Sequence, residues 1–243
     1  GMLDRDAVMA VAAQITPDQY PDADDIMVED YIRITYEPDG TSISWDDTFM
    51  KVLTEKGKRA NESMSFYFTL PYGETRVTLL EVIKPDGTVH AVDVEQQSRV
   101  MTDRSQMGSN IYNPNSKILR VGVPGVEVGD VVRYVARRET VKPRVPNTWS
   151  DYQILEYTSP IKRFVYEVRA PESRPLKSIV IKDAVEGTIT HTQETEGDRI
   201  VYRWVASDVP RMFPEPDMPP LYNVVQRLLV STIKDWTEIS KWY

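Results

Sequence analysis

Leu3, Ala7, Val8, Val11 and Ile15 recur at the spacing of one helical face, and Pro17 ends the pattern. A short amphipathic helix is predicted within residues 1–19. Tyr20-Pro21-Asp22-Ala23-Asp24 then reads as a turn-forming link. From Ile26 the period changes to two. Ile26, Val28, Ile32, Ile34 and Tyr36 share a face that only Asp30 interrupts. Glu37-Pro38-Asp39-Gly40 supplies turn chemistry, and Ile43, Trp45, Phe49 and Leu53 alternate on the return, which predicts a long β-hairpin.

The same grammar predicts a second hairpin, from Met64, Phe66, Phe68 and Leu70 through Pro71-Tyr72-Gly73 to Val77, Leu79 and Ile83. Lys84-Pro85-Asp86-Gly87-Thr88 is a further tight turn, leading into Val89–Val94. Glu95 to Ser116 is polar, contains Gly108, Asn110, Asn113, Pro114 and Asn115, and reads as a long surface loop. The clearest corner follows in Val121–Ala136, where Pro124, Gly125, Gly129 and Asp130 separate two alternating segments; this reads as strand, tight turn, strand. Between Thr140 and Ser159 prolines break the pattern, with Trp149, Tyr152, Ile154 and Leu155 as apolar anchors of a crossing between sheets. Alternation resumes at Ile161 with Phe164, Tyr166 and Val168, then Ile179 and Ile181, then Ile189, then Ile200, Tyr202 and Trp204. Prolines 210, 214, 216, 219 and 220 make a stiff strap, Val224–Ile233 reads as a strand, and Asp235 with Glu238 opens a helix bearing Trp236, Ile239 and Trp242 on one face.

The expected fold is mainly β, an antiparallel β-sandwich-type architecture forming one elongated body or two β subdomains, with a short N-terminal helix and a truncated C-terminal helix. Its segments are the helix (1–19), a first β block (20–158), a second β block (159–209), and the strap, strand and helix start (210–243).

Composition changes this picture little. The chain has 243 residues, 41% of them hydrophobic and 27% charged, enough for a real core. A net charge of −8 argues against nucleic acid, because phosphate binding needs clustered Lys and Arg. No stretch is long and apolar enough for a transmembrane helix. Met2–Ala13 carries Asp4, Arg5 and Asp6 where a signal peptide would be apolar, and Gly1 before Met2 reads as a residue left by tag removal, so that a natural leader would have been trimmed. A boundary two turns into a Trp-bearing helix likewise reads as chosen by an experimenter.

Reactive chemistry is sparse. The chain has no Cys, which removes disulfides, Cys metal sites and a thiol nucleophile, and it has two His. His90 and His191 fall on predicted strands, outside any metal-ligand spacing, and suit surface or edge positions. The cluster Asp22, Asp24, Asp25 offers hard oxygens for Ca²⁺ but lacks EF-hand spacing and reads as a solvated turn. Asp46 and Asp47 are paired carboxylates, but neighbours on a strand point to opposite faces, which defeats joint acid–base work. Trp45, Phe66, Phe68, Trp149, Tyr166 and Trp204 suit a core, or alternatively an exposed groove for a carbohydrate or peptide. The proline strap suits a linker, or a polyproline segment for an aromatic groove. No catalytic, cofactor-binding or metal residue is assigned, and no cofactor is expected.

Several pieces, in order, resemble one family, the bacterial domain of unknown function found N-terminal to transglutaminase-like catalytic domains. They are Tyr20-Pro21-Asp22-Ala23-Asp24, Asp39-Gly40, Pro85-Asp86-Gly87 and, above all, Val123-Pro124-Gly125-Val126-Glu127-Val128-Gly129-Asp130-Val131-Val132. Ser159-Pro160-Ile161, Tyr202-Arg203-Trp204, the strap and Ser231…Asp235-Trp236…Trp242-Tyr243 complete the series. The resemblance implies a non-catalytic module whose partner is an intramolecular C-terminal domain with a papain-like Cys-His-Asp triad, beginning beyond Tyr243. It also implies export to the periplasm or cell surface. Two other readings stand beside it: an independent carbohydrate- or peptide-binding sandwich, and a metal-dependent enzyme using Asp22–Asp25.

Overall fold

The computed structural model describes residues 1–105 and 112–234. Asp4 caps the first helix, α1 (Arg5–Gln14), by accepting from the N–H groups of Asp6 and Ala7. Two long strands follow, β1 (Asp25–Tyr36) and β2 (Ser42–Val52), and they pair as the predicted hairpin. Then come α2 (Glu55–Asn61), β3 (Ser63–Thr69), β4 (Gly73–Ile83), β5 (Val89–Ala91), α3 (Val94–Gln97), β6 (Ser98–Thr102), β7 (Ser116–Gly122) and β8 (Val131–Thr140). The chain continues through β9 (Ser150–Ile154), β10 (Ile161–Pro171), β11 (Ser178–Lys182), β12 (Ile189–Glu196), β13 (Arg199–Val209) and β14 (Arg227–Ser231). The protein is mainly β, as its alternation predicts.

Three sheets result. The largest has eight strands in the order β12-β13-β10-β1-β2-β8-β4-β5, and two three-stranded sheets run β11-β14-β9 and β3-β7-β6. Both small sheets lie over the same face of the large one. Under β11-β14-β9, Trp149, Leu155, Leu228 and Val230 bury Tyr166, Val168, Tyr202 and Trp204. Under β3-β7-β6, Leu119, Val121, Phe66 and Phe68 meet Val77, Leu80, Val82 and Val132. On the opposite face α1 seats Val8, Ala12 and Ile15 against Ile26, Val28 and Phe49. Cover on both faces of β1, β2 and β8 is thus what makes a layered body rather than a single half-wet sheet.

Three sequence-based expectations are corrected. Met64–Leu70 and Val77–Ile83 are not hairpin partners: β3 pairs with β7 and β4 with β8, so the Pro71-Tyr72-Gly73 turn hands the chain from one sheet to another. The Glu95–Ser116 loop contains most of α3 and all of β6, an edge strand short enough (Ser98–Thr102) to leave little periodic signal. The corner at Pro124–Asp130 does not join paired strands either, since β7 and β8 lie in different sheets. Gly125 (φ 77°) and Gly129 (φ 95°) take the left-handed backbone the corner needs. Asp130 then ties it down, its carboxylate accepting from the Glu127 N–H (2.8 Å) and from Lys84 Nζ (2.6 Å), while Val52 at the end of β2 donates its N–H to the Asp130 carbonyl and accepts from the Gly129 N–H.

The strands of residues 159–209 and those of residues 20–158 meet within the large sheet. β10 runs parallel to β1, in register from Met27↔Ile161 to Thr35↔Arg169, and carries β13 and β12 on its outer side. This parallel pair is the exception in an otherwise antiparallel sheet and needs the long connection from β1 to β10 that the intervening strands supply. Prolines 210, 214, 216, 219 and 220 run outside helix and strand. The predicted helix from Asp235 lies outside the described residues.

Candidate functional site

Between the two small sheets, above the middle of β1, β2 and β8, the body encloses a cavity of about 510 Å³. That is a size suited to a small ligand. Its floor is set by strand register. Asp30 on β1 faces Thr48 on β2, which faces Tyr134 on β8, so one carboxyl, one hydroxyl and one phenol form a row across three strands. Asp46, two residues back along β2, points the same way. Asp151 of β9 and Tyr157 close the site from above.

Thr48 Oγ1 lies 3.1 Å from Asp30 Oδ1 and 2.7 Å from Asp46 Oδ1. Tyr134 Oη reaches Asp46 Oδ2 at 3.5 Å. Asp30 is almost wholly buried, and burial, followed by the charge of Asp46 and a hydrogen bond to it, holds its carboxyl well above the usual range. Asp46 opens onto the cavity yet sits deep in the body; burial raises it too, against the hydrogen bonds of Thr48 and Asp30 and the charge of Arg138. These are one interacting pair, and together they hold a proton to higher pH than either would alone in water. Asp151 accepts from Tyr166 Oη (2.7 Å) and Gln153 Nε2 (3.0 Å), and burial raises its carboxyl as well. Burial likewise pushes the phenols of Tyr134 and Tyr157 up, so both stay protonated donors at neutral pH.

The residues singled out from sequence scatter. His90 and His191 lie exposed on β5 and β12, the two edges of the large sheet, and His191 stacks on Trp204 at 4.7 Å. Asp22 is exposed; Asp24 accepts from Thr54 Oγ1 and Lys56 Nζ; Asp25 accepts from Asn61 Nδ2 and Ser159 Oγ. The cluster thus anchors the start of β1 to its surroundings. Among the described residues no group of three or more His, Cys, Asp or Glu is arranged to hold a metal ion. Asp46 and Asp47 do diverge: Asp47 faces the other side of the sheet, where Arg133 binds it. The aromatics form no single row. Trp149, Tyr166 and Trp204 are buried, Phe66 and Phe68 half-buried, and Trp45 lies on the Arg137 side of the sheet.

Asp30 with Asp46 is therefore the constellation that sequence reasoning missed. Its signal was present: Asp30 alone interrupts an apolar face, and a polar residue there asks for partners across the strand. Chemically, the pair stores a proton, accepts hydrogen bonds and attracts a cation. It offers no nucleophile comparable to a thiolate.

A search of curated proteins gives no match. Among solved structures, the chain superimposes with a TM-score of 0.75 on a protein described as a "putative protease" from Parabacteroides distasonis, at 16% identity, covering 86% of this chain and 40% of that one. The likeness shows a shared fold, and the chain spans less than half of that protein's length. An M1 zinc metallopeptidase from Deinococcus radiodurans aligns over 86% of this chain and 42% of its own, at 12% identity and a TM-score of 0.40. Native yeast LTA4 hydrolase aligns over 85% and 29%, at 10% identity and 0.39. At those two scores nothing of either enzyme carries over. From the start of β1 to just past β13, residues 25–213 match the family described as "Domain of Unknown Function with solved-structure structure" (DUF3857), and this chain belongs to that family.

Proposed function

We propose that this chain is a non-catalytic β module of a larger bacterial transglutaminase-like protein, serving as scaffold for, or presenting substrate or a partner to, a C-terminal domain with a Cys-His-Asp triad. The observation that carries this reading is the superposition on 40% of the Parabacteroides protein, with most of this chain used. Family membership and the ordered motifs up to the strap agree with it. So does the absence of Cys from all 243 residues, since such a domain must bring its own nucleophile. In this reading the protein acts in the periplasm or at the cell surface.

The test is a comparison of two products of the same gene. The purified chain is assayed with fluorogenic peptides and with amine incorporation into a glutaminyl protein, beside a product extended past Tyr243. No turnover by the chain, with thiol-dependent turnover by the extended product, is expected. Saturable turnover by the chain itself, lost in Asp46→Asn, overturns the reading. A second reading, an independent carbohydrate- or peptide-binding module, draws on the 510 Å³ cavity walled by Phe66 and Trp149. It predicts saturable ligand binding by the chain whether or not an extended product is active.

A further inference from the structure

The cavity is chemically lopsided, and its two ends ask for different groups. At one end Thr48 Oγ1 contacts both Asp30 and Asp46, yet a hydroxyl has one hydrogen to give. It donates to one carboxylate, and the other contact is satisfied only when that acid carries the pair's proton. The groups facing this end are Asp30 from β1, Asp46 from β2, Tyr134 and Arg138 from β8, Asp151 and Tyr152 from β9, and Tyr157, with Tyr166 of β10 donating to Asp151 from behind. Three carboxyls and three phenols confront a single arginine, and that arginine is exposed at the mouth.

At the other end stands Thr75. It lies on β4 in the row Thr75, Arg138, Ser44, two strands across from β2, roughly 10 Å along the hydrogen-bonding direction. Thr75 is 5% exposed, lines the cavity, and its Oγ1 has no hydrogen-bond partner. A buried hydroxyl left unpaired costs free energy, and a ligand oxygen there recovers it.

We infer that this cavity binds a primary ammonium on a flexible chain whose far end carries an amide or carboxylate oxygen, the chemistry shared by a lysyl residue and a free ω-amino acid. The ammonium takes the place of the pair's proton between Asp30 and Asp46, offering three donors to acceptors that are otherwise short of them. The alkyl chain runs between Phe66 and Trp149, and the oxygen accepts from Thr75 and Arg138. A divalent metal suits the site less well, since Ca²⁺ takes six to eight oxygens and, among the described residues, no three carboxyls are arranged to hold one. This inference does not depend on the module reading above.

Isothermal titration of the full chain tests it with four probes. ε-Aminocaproate and the peptide acetyl-Gly-Lys-Gly-amide carry the ammonium; caproate and the norleucine peptide lack it. Saturable binding of the ammonium probes is expected, at least about tenfold tighter than their controls. A tighter peptide points to a lysyl residue of a partner chain as the source, and a tighter ε-aminocaproate to a free ω-amino acid. Asp46→Asn keeps the shape and removes the charge, and is expected to weaken the ammonium probes about tenfold. Thr75→Val, on the far side of the cavity, weakens them severalfold with the near-ultraviolet spectrum unchanged. Equal binding of caproate, no saturation by either ammonium probe into tens of millimolar, or unchanged affinity in a folded Asp46→Asn protein overturns the inference.

Discussion

Arg133 closes on Asp47 with two parallel hydrogen bonds, Nε to Oδ1 and Nη2 to Oδ2, each 3.0 Å long. Both side chains are nearly or wholly buried, on the face of the large sheet opposite the cavity. Asp47 also accepts from the backbone N–H groups of Met2 (2.6 Å) and Leu3 (2.9 Å), so one carboxylate fastens the chain's start and the centre of β8. Removing one partner of such a pair strands the other charge away from water, which costs more than the pair contributes. Asp47→Ala is expected to lose about 3–5 kcal/mol, toward the lower figure because Glu81 stands 3.6 Å from the Arg133 guanidinium and takes up part of the charge. Urea denaturation at neutral pH checks this; a loss below about 1 kcal/mol rules out the fastening role.

Gly57 and Gly129 separate two reasons for a glycine. At Gly57, in α2, an added Cβ would sit 1.9 Å from the backbone carbonyl oxygen of Asp24, which also accepts from Leu53 and Thr54 N–H. That carbonyl cannot retreat without breaking the start of β1 away from the end of β2. At Gly129 the φ of +95° is the difficulty, while the nearest atom, Pro85 Cγ, lies at an ordinary 3.4 Å. Gly129→Ala is expected to cost about 1 kcal/mol from backbone strain alone. Gly57→Ala is expected to cost more, about 2–3 kcal/mol, despite alanine's better helix propensity. Equal losses in denaturant melts would show that the α2 contact yields.

These sites also mark how far the sequence could be read. Period-two alternation with turn residues at Asp39-Gly40 and Asp86-Gly87 is local information, and the hairpin and turn it predicts form. Which strands become neighbours is not local. β3 and β4 look like a hairpin because Pro71-Tyr72-Gly73 has turn chemistry, but a turn between sheets needs the same residues as a turn within one. β7 and β8 mislead in the same way. The parallel β1–β10 pair leaves no trace in either strand, because both alternate as a strand in an antiparallel sheet does. Asp46 with Asp47 drew attention because they are adjacent in the chain, whereas the pair that meets, Asp30 with Asp46, is joined only by the register of β1 on β2.

Glu167 offers a test through pH. It is wholly buried on β10 and accepts from Arg203 (2.7 Å), Tyr31 Oη (2.8 Å) and Arg33 Nε (3.1 Å). Burial pushes its carboxyl up, but the hydrogen bonds of Arg203 and Tyr31 and the charges of Arg33 and Arg203 outweigh it and hold the group below its ordinary value. A depressed folded-state pKa stabilises the fold above the unfolded value of 4.5, and that stability is lost as pH falls through the folded value. Glu167→Gln is therefore expected to destabilise the protein near neutrality and to converge with the parent in acid. A stability deficit that persists unchanged below about pH 3 would show that shape, not charge, is what Glu167 supplies.

Asp30 reverses that sign. Its folded-state carboxyl stands well above the ordinary value of 3.8, from burial first and from Asp46 second. The folded protein consequently binds more protons than the unfolded chain between 3.8 and the folded value, so stability falls as pH rises through that window. Asp46 is raised in the same direction, and the two lose their protons as a pair. Asn at position 30 still accepts from Thr48 but carries no charge, so Asp30→Asn is expected to match the parent near pH 4 and to exceed it increasingly toward alkaline pH, by on the order of 1–3 kcal/mol at about pH 8. Denaturant titrations of both proteins across that range read the difference directly, and Glu167, common to both, cancels from it. The gain should vanish when a ligand ammonium occupies the pair, because the cation then repays the burial of both carboxylates in the parent and has only one to meet in the variant. An Asp30→Asn protein less stable than its parent across the whole range would mean that the acid pair does not repel inside the cavity.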